Sequence, residues 1–241
     1  MRDEILFISD LHLTIERPEV TQKFVNFLKN RAPQAKALYI LGDLFDTWIG
    51  DDDFSPPIKK VKQHLKALSQ QGTKIYYIHG NRDFLIGQKF SQDSDTVLLD
   101  EYSVIDLYGT PTLLTHGDLL CSDDLAYQAF RAKSHTKEWQ ENVLSKPLIF
   151  RMLFARWYRL RSFFHKRKKS QTIMDVNIDT VSSVMEKYQA TCLIHGHTHR
   201  QAIHDFQVQQ APAQRFVLAE WTKESTSILC FSPSGHTIEA I

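Results

Sequence analysis

Three short apolar runs open the chain, Ile5–Ile8, Ala37–Leu41 and residues 75–78, and each predicts a buried strand. Between them apolar residues recur at helical spacing. Val20, Phe24, Phe27 and Leu28 follow Pro18, and Val61, Leu65 and Leu68 lie between about Pro57 and Gln71. Pro33 stops the first helix, and Gly72 stands where a left-handed cap would close the second. Strand–helix–strand–helix–strand at this spacing predicts parallel βαβ units.

The pattern then changes. Residues 102–107 and 112–115 predict two strands joined as a hairpin through Tyr108-Gly109-Thr110-Pro111. From about 119 to 172 the strand pattern disappears. A helical stretch rich in aromatic and basic residues is predicted there, as an insertion in a single domain spanning 1–241. Ile173, Val176, Val181, Val184, Met185 and Tyr188 mark an amphipathic helix that leads into a strand at 191–194. Short strands near 202–206, 215–218 and 227–231 finish the chain, followed by a Ser232-Pro233-Ser234-Gly235 turn.

Composition narrows the class only a little. Hydrophobic content of 42% and charged content of 24% are those of an ordinary globular domain. Cys121, Cys192 and Cys230 form no paired framework and no C-x-x-C, which predicts small core residues in a reducing compartment. Arg2, Asp3 and Glu4 lead straight into a strand, so no signal peptide is expected. No uncharged apolar stretch reaches the ~18 residues of a membrane span. The net charge of +1 conceals a segregation: nine Lys or Arg and no Asp or Glu lie between Lys146 and Lys169.

The chemistry sits where the predicted strands end. Asp10 and His12 follow the first, Asp43 the second, Asn81 the third, His116 the second arm of the hairpin, and His197 and His199 the 191–194 strand. Gly42, Gly80, Gly117 and Gly196 stand close beside them and permit sharp exits. Any one of these is more simply a capping or turn residue. The recurrence in matching contexts points to a shared site. Parallel strands would gather these ends on one edge. Hard carboxylate oxygens mixed with imidazole nitrogens suit Mn²⁺, Fe or Zn²⁺ rather than Ca²⁺. Seven ligands suit two octahedral ions sharing a bridge, and Asp43 is the natural bridge.

In this order, D-x-H, G-D-x-x-D, G-N, H-G and G-H-x-H resemble the calcineurin-like metallophosphoesterase family, over nearly the whole chain. The resemblance implies an α/β fold, a four-layer αββα sandwich with a helical insertion acting as a lid. It also implies hydrolysis at phosphorus with two metal ions, Mn²⁺ preferred. One ion would take Asp10, His12, Asp43 and His199, and the other Asp43, Asn81, His116 and His197. His195 precedes the G-H-x-H motif and is expected to be structural. Asp83 and Asp46 would orient ligands or merely solvate their loops.

One departure narrows the chemistry. Where phosphoprotein phosphatases of this family carry G-N-H-E, this chain has Gly80-Asn81-Arg82-Asp83. Arginine cannot serve as a general acid but can clamp phosphate oxygens in a bidentate fork. That favours a pyrophosphate bond, whose leaving phosphate departs without a proton, over a phosphoserine ester. The alternative is an Arg82 tied to Asp83 or a neighbour. Within the family the likeness is strongest to members acting on a lipid-linked nucleotide sugar at the cytoplasmic face of a bacterial inner membrane. It implies catalytic roles for Asp43, Asn81, Arg82 and His116. Substrate contacts would come from Asn81, Arg82, Asp124, Ser162, Lys166, Lys169 and His197.

Aromatic and basic residues interleave from Phe150 to Lys169, which suits an anionic lipid surface or single-stranded nucleic acid. A plainer alternative is a basic helix packed on the core through its aromatics. Three functions are compatible with these features: a lipid-linked pyrophosphatase, a nuclease or nucleotide phosphodiesterase, and an interaction scaffold. The ligand set is complete, which disfavours the scaffold. With the lipid-linked substrate, the expectation is a peripheral enzyme needing neither nucleic acid nor an obligate protein partner.

Overall fold

The structure, a computed structural model, describes residues 2–166 and 175–241, with side chains as far as Trp157 in the helix that ends at residue 166. In chain order the elements are β1 (Ile5–Ile8), α1 (Pro18–Asn30), β2 (Ala37–Leu41), α2 (Pro56–Gln70), β3 (Lys74–Ile78), α3 (Gln88–Ser94) and β4 (Val97–Leu98). There follow β5 (Ser103–Leu107), β6 (Thr110–Leu114), α4 (Leu125–Ser134), α5 (Lys137–Leu144), α6 (Leu148–Lys166) and α7 (Ile178–Lys187). The chain closes with β7 (Cys192–His195), β8 (Ala202–Val208), β9 (Ala211–Val217), β10 (Ser227–Ser232) and β11 (Gly235–Ala240).

Two mixed sheets result. The first runs β11-β10-β1-β2-β3-β4, with β1 to β4 parallel and β10 antiparallel to β1. The second runs β5-β6-β7-β9-β8, with β6, β7 and β9 parallel. Alternation along each strand explains why the apolar runs are unbroken. Leu6 and Ile8 of β1, with Leu38 and Ile40 of β2, face α1 and α2 in one core. Ile5, Phe7, Tyr39 and Leu41 point the other way and meet Leu114, Ile194 and Phe216 of the second sheet. Leu113 and Leu193 face outward onto Val181 and Met185 of α7. The layers are therefore helix, sheet, sheet, helix.

Several boundaries differ from expectation. The amphipathic helix begins at Ile178, because Asn177 caps it by accepting a hydrogen bond from the Thr180 amide at 3.0 Å. Val176 is buried ahead of that helix, and Ile173 lies outside the described residues. The hairpin turn is two residues, Tyr108 and Gly109, both at positive φ (54° and 89°), so β6 already starts at Thr110. Three elements carried no usable signal. α3 and β4 are short, and β11 is an almost wholly exposed edge strand.

α4, α5 and α6 occupy the stretch between β6 and α7. Among the described residues no helix is long and apolar enough to cross a membrane. The three cysteines are buried and form no disulfide.

Candidate metal centre

The carboxyl ends of β1, β2 and β3 in one sheet, and of β6 and β7 in the other, meet at a common edge. The converging ends come from two facing sheets rather than one, so the site lies across the gap between them. It is assembled from strained backbone. Asp10, His12, Asp43, His197 and His199 all adopt positive φ, between 49° and 68°. Each such residue costs on the order of 1 kcal/mol, and clustering of this kind marks functional loops. The loops also touch. A Cβ on Gly80 would lie 2.2 Å from the Asp43 amide, and one on Gly196 2.1 Å from Ser9 Oγ and 2.3 Å from Asp10 Oδ2. Only glycine permits that approach.

Seven side chains form two adjoining groups. In the first, Asp10 Oδ1 lies 3.2 Å from His199 Nε2 and 3.9 Å from His12 Nε2, and the two ring nitrogens are 3.3 Å apart. In the second, Asn81 Oδ1 lies 3.0 Å from His116 Nε2 and 2.9 Å from His197 Nδ1, with those nitrogens also 3.3 Å apart. Asp43 stands between the groups, with Oδ2 at 3.8 Å from His12 Nδ1 and Oδ1 at 3.7 Å from His116 Nε2. Asp10 reaches across too, since its Oδ2 accepts the His197 amide at 2.8 Å.

The donor set fits divalent cations. His12 Nδ1 is buried without a hydrogen-bond partner, a costly state for a polar atom unless a cation engages it. Nitrogen faces nitrogen in both groups, which suits lone pairs converging on an ion better than a hydrogen-bond network. The His116 ring is held by Nδ1 donating to Leu41 O at 2.8 Å, so Nε2 is the lone-pair atom. His199 places Nδ1 2.9 Å from Glu220 Oε2, again aiming Nε2 at the cluster.

The electrostatics agree. Burial, aided by Asp83 and Asp10, raises the Asp43 pKa to about 7. Asp10 is also driven upward by burial, but hydrogen bonding to His199 and the surrounding histidines hold it well below the usual carboxylate range. Burial works against a charge on His199, and Asp10 and Glu220 overcome it, raising its pKa to about 9. His197 goes the other way, to about 3, through burial and the nearby His116. Such a split among crowded acids and bases is what bound cations level, because their charge becomes the largest in the site.

The surroundings give several residues defined places. Asp83 does not solvate a loop. It is fully buried and accepts from Tyr77 Oη (2.5 Å), Gly80 N (2.9 Å), Phe45 N (3.2 Å) and Asp43 N (3.3 Å), tying two ligand loops together. Arg82 therefore does not pair with Asp83. Its guanidinium donates to Asp46 Oδ1 at 2.6 Å and lies 3.5 Å from Asp43 Oδ2, while its amide donates to Asp43 Oδ1 at 2.9 Å. His195 is fully buried outside the cluster, with Nε2 3.1 Å from Arg215. Asp124 caps α4 by accepting from the Tyr127 amide at 3.1 Å. Lys169 and the side chains of Ser162 and Lys166 lie outside the described residues.

α6 inverts the plainer expectation of aromatics packed inward. Ile149, Phe150, Met152, Leu153, Phe154 and Trp157 are all exposed, between 41% and 65%, whereas Arg151 is buried. Arg151 forks onto Asp52, with Nη1 2.8 Å from Oδ1, and also donates to Ile49 O, so α6 is anchored on the loop that follows Asp46. A cleft of about 200 Å³ runs between α5 and α6, lined by Trp139, Val143, Phe150 and Phe154.

Glu220 was missed by sequence reasoning. It follows β9 in no recognisable motif, and only the fold brings it to His199.

Comparison with known proteins agrees with this geometry. Residues 4–201 match the model of the calcineurin-like phosphoesterase family. A UDP-2,3-diacylglucosamine hydrolase of Actinobacillus succinogenes is 51% identical over 230 residues, 94% of this chain and 95% of that protein. The proteins so named from Shigella dysenteriae and Haemophilus influenzae are each 49% identical. They cover 92% and 95% of this chain and 93% and 95% of their own lengths.

Proposed function

The chain belongs to the calcineurin-like phosphoesterase family, and from that premise we propose that it hydrolyses the pyrophosphate bond of UDP-2,3-diacylglucosamine, giving UMP and 2,3-diacylglucosamine 1-phosphate. The observation that carries the reading is the pair of ligand groups joined through Asp43, with Arg82 beside Asp43 and a helix of exposed aromatics anchored on the loop that follows Asp46.

The family uses a divalent metal pair. Asp10, His12, Asp43 and His199 would hold one ion, and Asp43, Asn81, His116 and His197 the other; Mn²⁺ is the ion proposed. When bound, such a pair supplies Lewis acidity and a nucleophile at neutral pH. The chain's own residues do the rest. Asp83 fixes the Asp43 and Asn81 loops so that both ligand groups hold their spacing. Arg82, steadied by Asp46, presents a guanidinium to the phosphate and stabilises the charge that develops there. A leaving phosphate needs no proton, so a general acid is dispensable. Asn81 and His197 face the same space and would orient the phosphoryl oxygens.

Residues 119–172 are proposed as an inserted lid. Its exposed aromatic face would take the acyl chains, each buried CH₂ contributing about 0.8 kcal/mol. The basic residues of the same segment would meet anionic headgroups, at about 1 kcal/mol each near the surface. Contact of this kind makes the enzyme peripheral to the cytoplasmic face of the inner membrane. Asp124, Ser162, Lys166 and Lys169 are proposed as substrate contacts.

The test compares two substrates. Replacing Trp157 or Phe154 with Ser should weaken turnover of the diacylated substrate at least tenfold and leave a small soluble phosphodiester unaffected. Equal loss on both, or competition by single-stranded DNA at physiological salt, would favour a nuclease.

A further inference from the structure

Two histidines of the centre are held from behind, and they are held differently. His116 leans on a neutral backbone carbonyl, Leu41 O at 2.8 Å. His199 leans on a carboxylate, Glu220 Oε2 at 2.9 Å. Glu220 is itself restrained. Arg17 Nη1 lies 3.8 Å from Glu220 Oε1, and Arg17 Nη2 donates to Trp221 O at 2.7 Å. Trp221 is fully buried, edge-on to Phe24 and Phe27 with ring centroids 6.0 and 5.7 Å away, and its indole donates to Ser227 O at 3.0 Å. The Trp221 amide then donates to Asp10 O at 3.1 Å. One short strap thus holds two of the three residues of the first ligand group, His199 by its side chain and Asp10 by its backbone.

We infer that Glu220 is a positioning residue for the Asp10–His12–His199 half of the centre, holding the His199 ring so that Nε2 faces Asp10, and that this half alone depends on it. A carboxylate can only accept, so the proton of the neutral imidazole resides on Nδ1 and the Nε2 lone pair is left for the cation. The negative charge also makes that lone pair a stronger donor than a carbonyl partner would. Within the Asn81–His116–His197 group, His116 leans on backbone instead.

The inference rests on the two-metal reading above, and the experiment separates the two. Metal-stripped wild-type protein, Glu220→Gln and Glu220→Ala are titrated with Mn²⁺ by calorimetry, with thermal unfolding of each stripped protein in parallel. Wild type should bind two ions; failure to do so overturns the two-metal reading itself. Both variants should weaken one site by about 10–100-fold and leave the other at its wild-type affinity. Gln, which still offers an acceptor oxygen, should lose less than Ala. Equal weakening of both sites, or unchanged affinities, would overturn the role. So would a fall in unfolding temperature of the stripped protein with both affinities intact, which is the signature of a merely structural residue.

Discussion

Removing the Asp83 carboxylate should loosen both halves of the centre at once, by an amount that the hydrogen bonds bound. Oδ1 accepts from the Asp43 and Gly80 amides, and Oδ2 from the Phe45 amide and the Tyr77 hydroxyl. In Asp83→Asn the remaining oxygen can stay at the Oδ1 position and keep two amides. The Tyr77 hydroxyl can rotate to accept from the new NH₂, which leaves the Phe45 amide buried without an acceptor. One orphaned buried donor costs about 1–3 kcal/mol, and the two retained bonds weaken once their acceptor is neutral. Relief of the repulsion between Asp83 and Asp43, one reason Asp43 is shifted upward, offsets part of this. The net loss is about 2–3 kcal/mol for Asn. Asp83→Ala orphans three amides and should cost about 5 kcal/mol. At about 2–4 °C per kcal/mol for a domain of this size, the Asn variant should melt roughly 5–10 °C lower. Calorimetric and urea unfolding of stripped proteins measures this. A loss below about 1 kcal/mol, or equal losses for Asn and Ala, would refute the buried-network argument.

Arg82→Ala should lower kcat/KM by about 2–4 kcal/mol of transition-state stabilisation, and Arg82→Lys should recover little because the fork is lost. Wild-type rates in the Lys variant, measured on the diacylated substrate, would remove the clamp role. Gly196→Ala places a methyl group 2.1 Å from Ser9 Oγ and 2.3 Å from Asp10 Oδ2. It should destabilise by about 1–3 kcal/mol and reduce Mn²⁺ affinity, both readable by calorimetry, whereas a silent substitution would show that the two loops are not in tight contact.

The site was legible in the sequence where chemistry follows a buried strand. Ile5–Ile8 and Ala37–Leu41 announce themselves because both their faces are covered, and the residues after them are reached by counting. All seven metal-type side chains assigned that way do converge. What stayed hidden depends on contacts distant in sequence. Nothing in Ala219-Glu220-Trp221 hints that Glu220 meets His199, and the two strand orders that bring them together cannot be read locally. Asp83 looked equivalent to Asp46 as a loop carboxylate, yet burial separates their roles: one gathers backbone amides, the other holds Arg82. Arg151 looked like one of nine similar cations, and only the fold shows it inward while its aromatic neighbours face out.

The most direct test of two-metal hydrolysis is UMP release from UDP-2,3-diacylglucosamine by protein stripped of metal and then titrated with Mn²⁺. The stripped protein should release none, and activity should rise to saturation at two bound ions per chain. UMP release persisting after exhaustive chelation, or two bound ions with no UMP release, would contradict it.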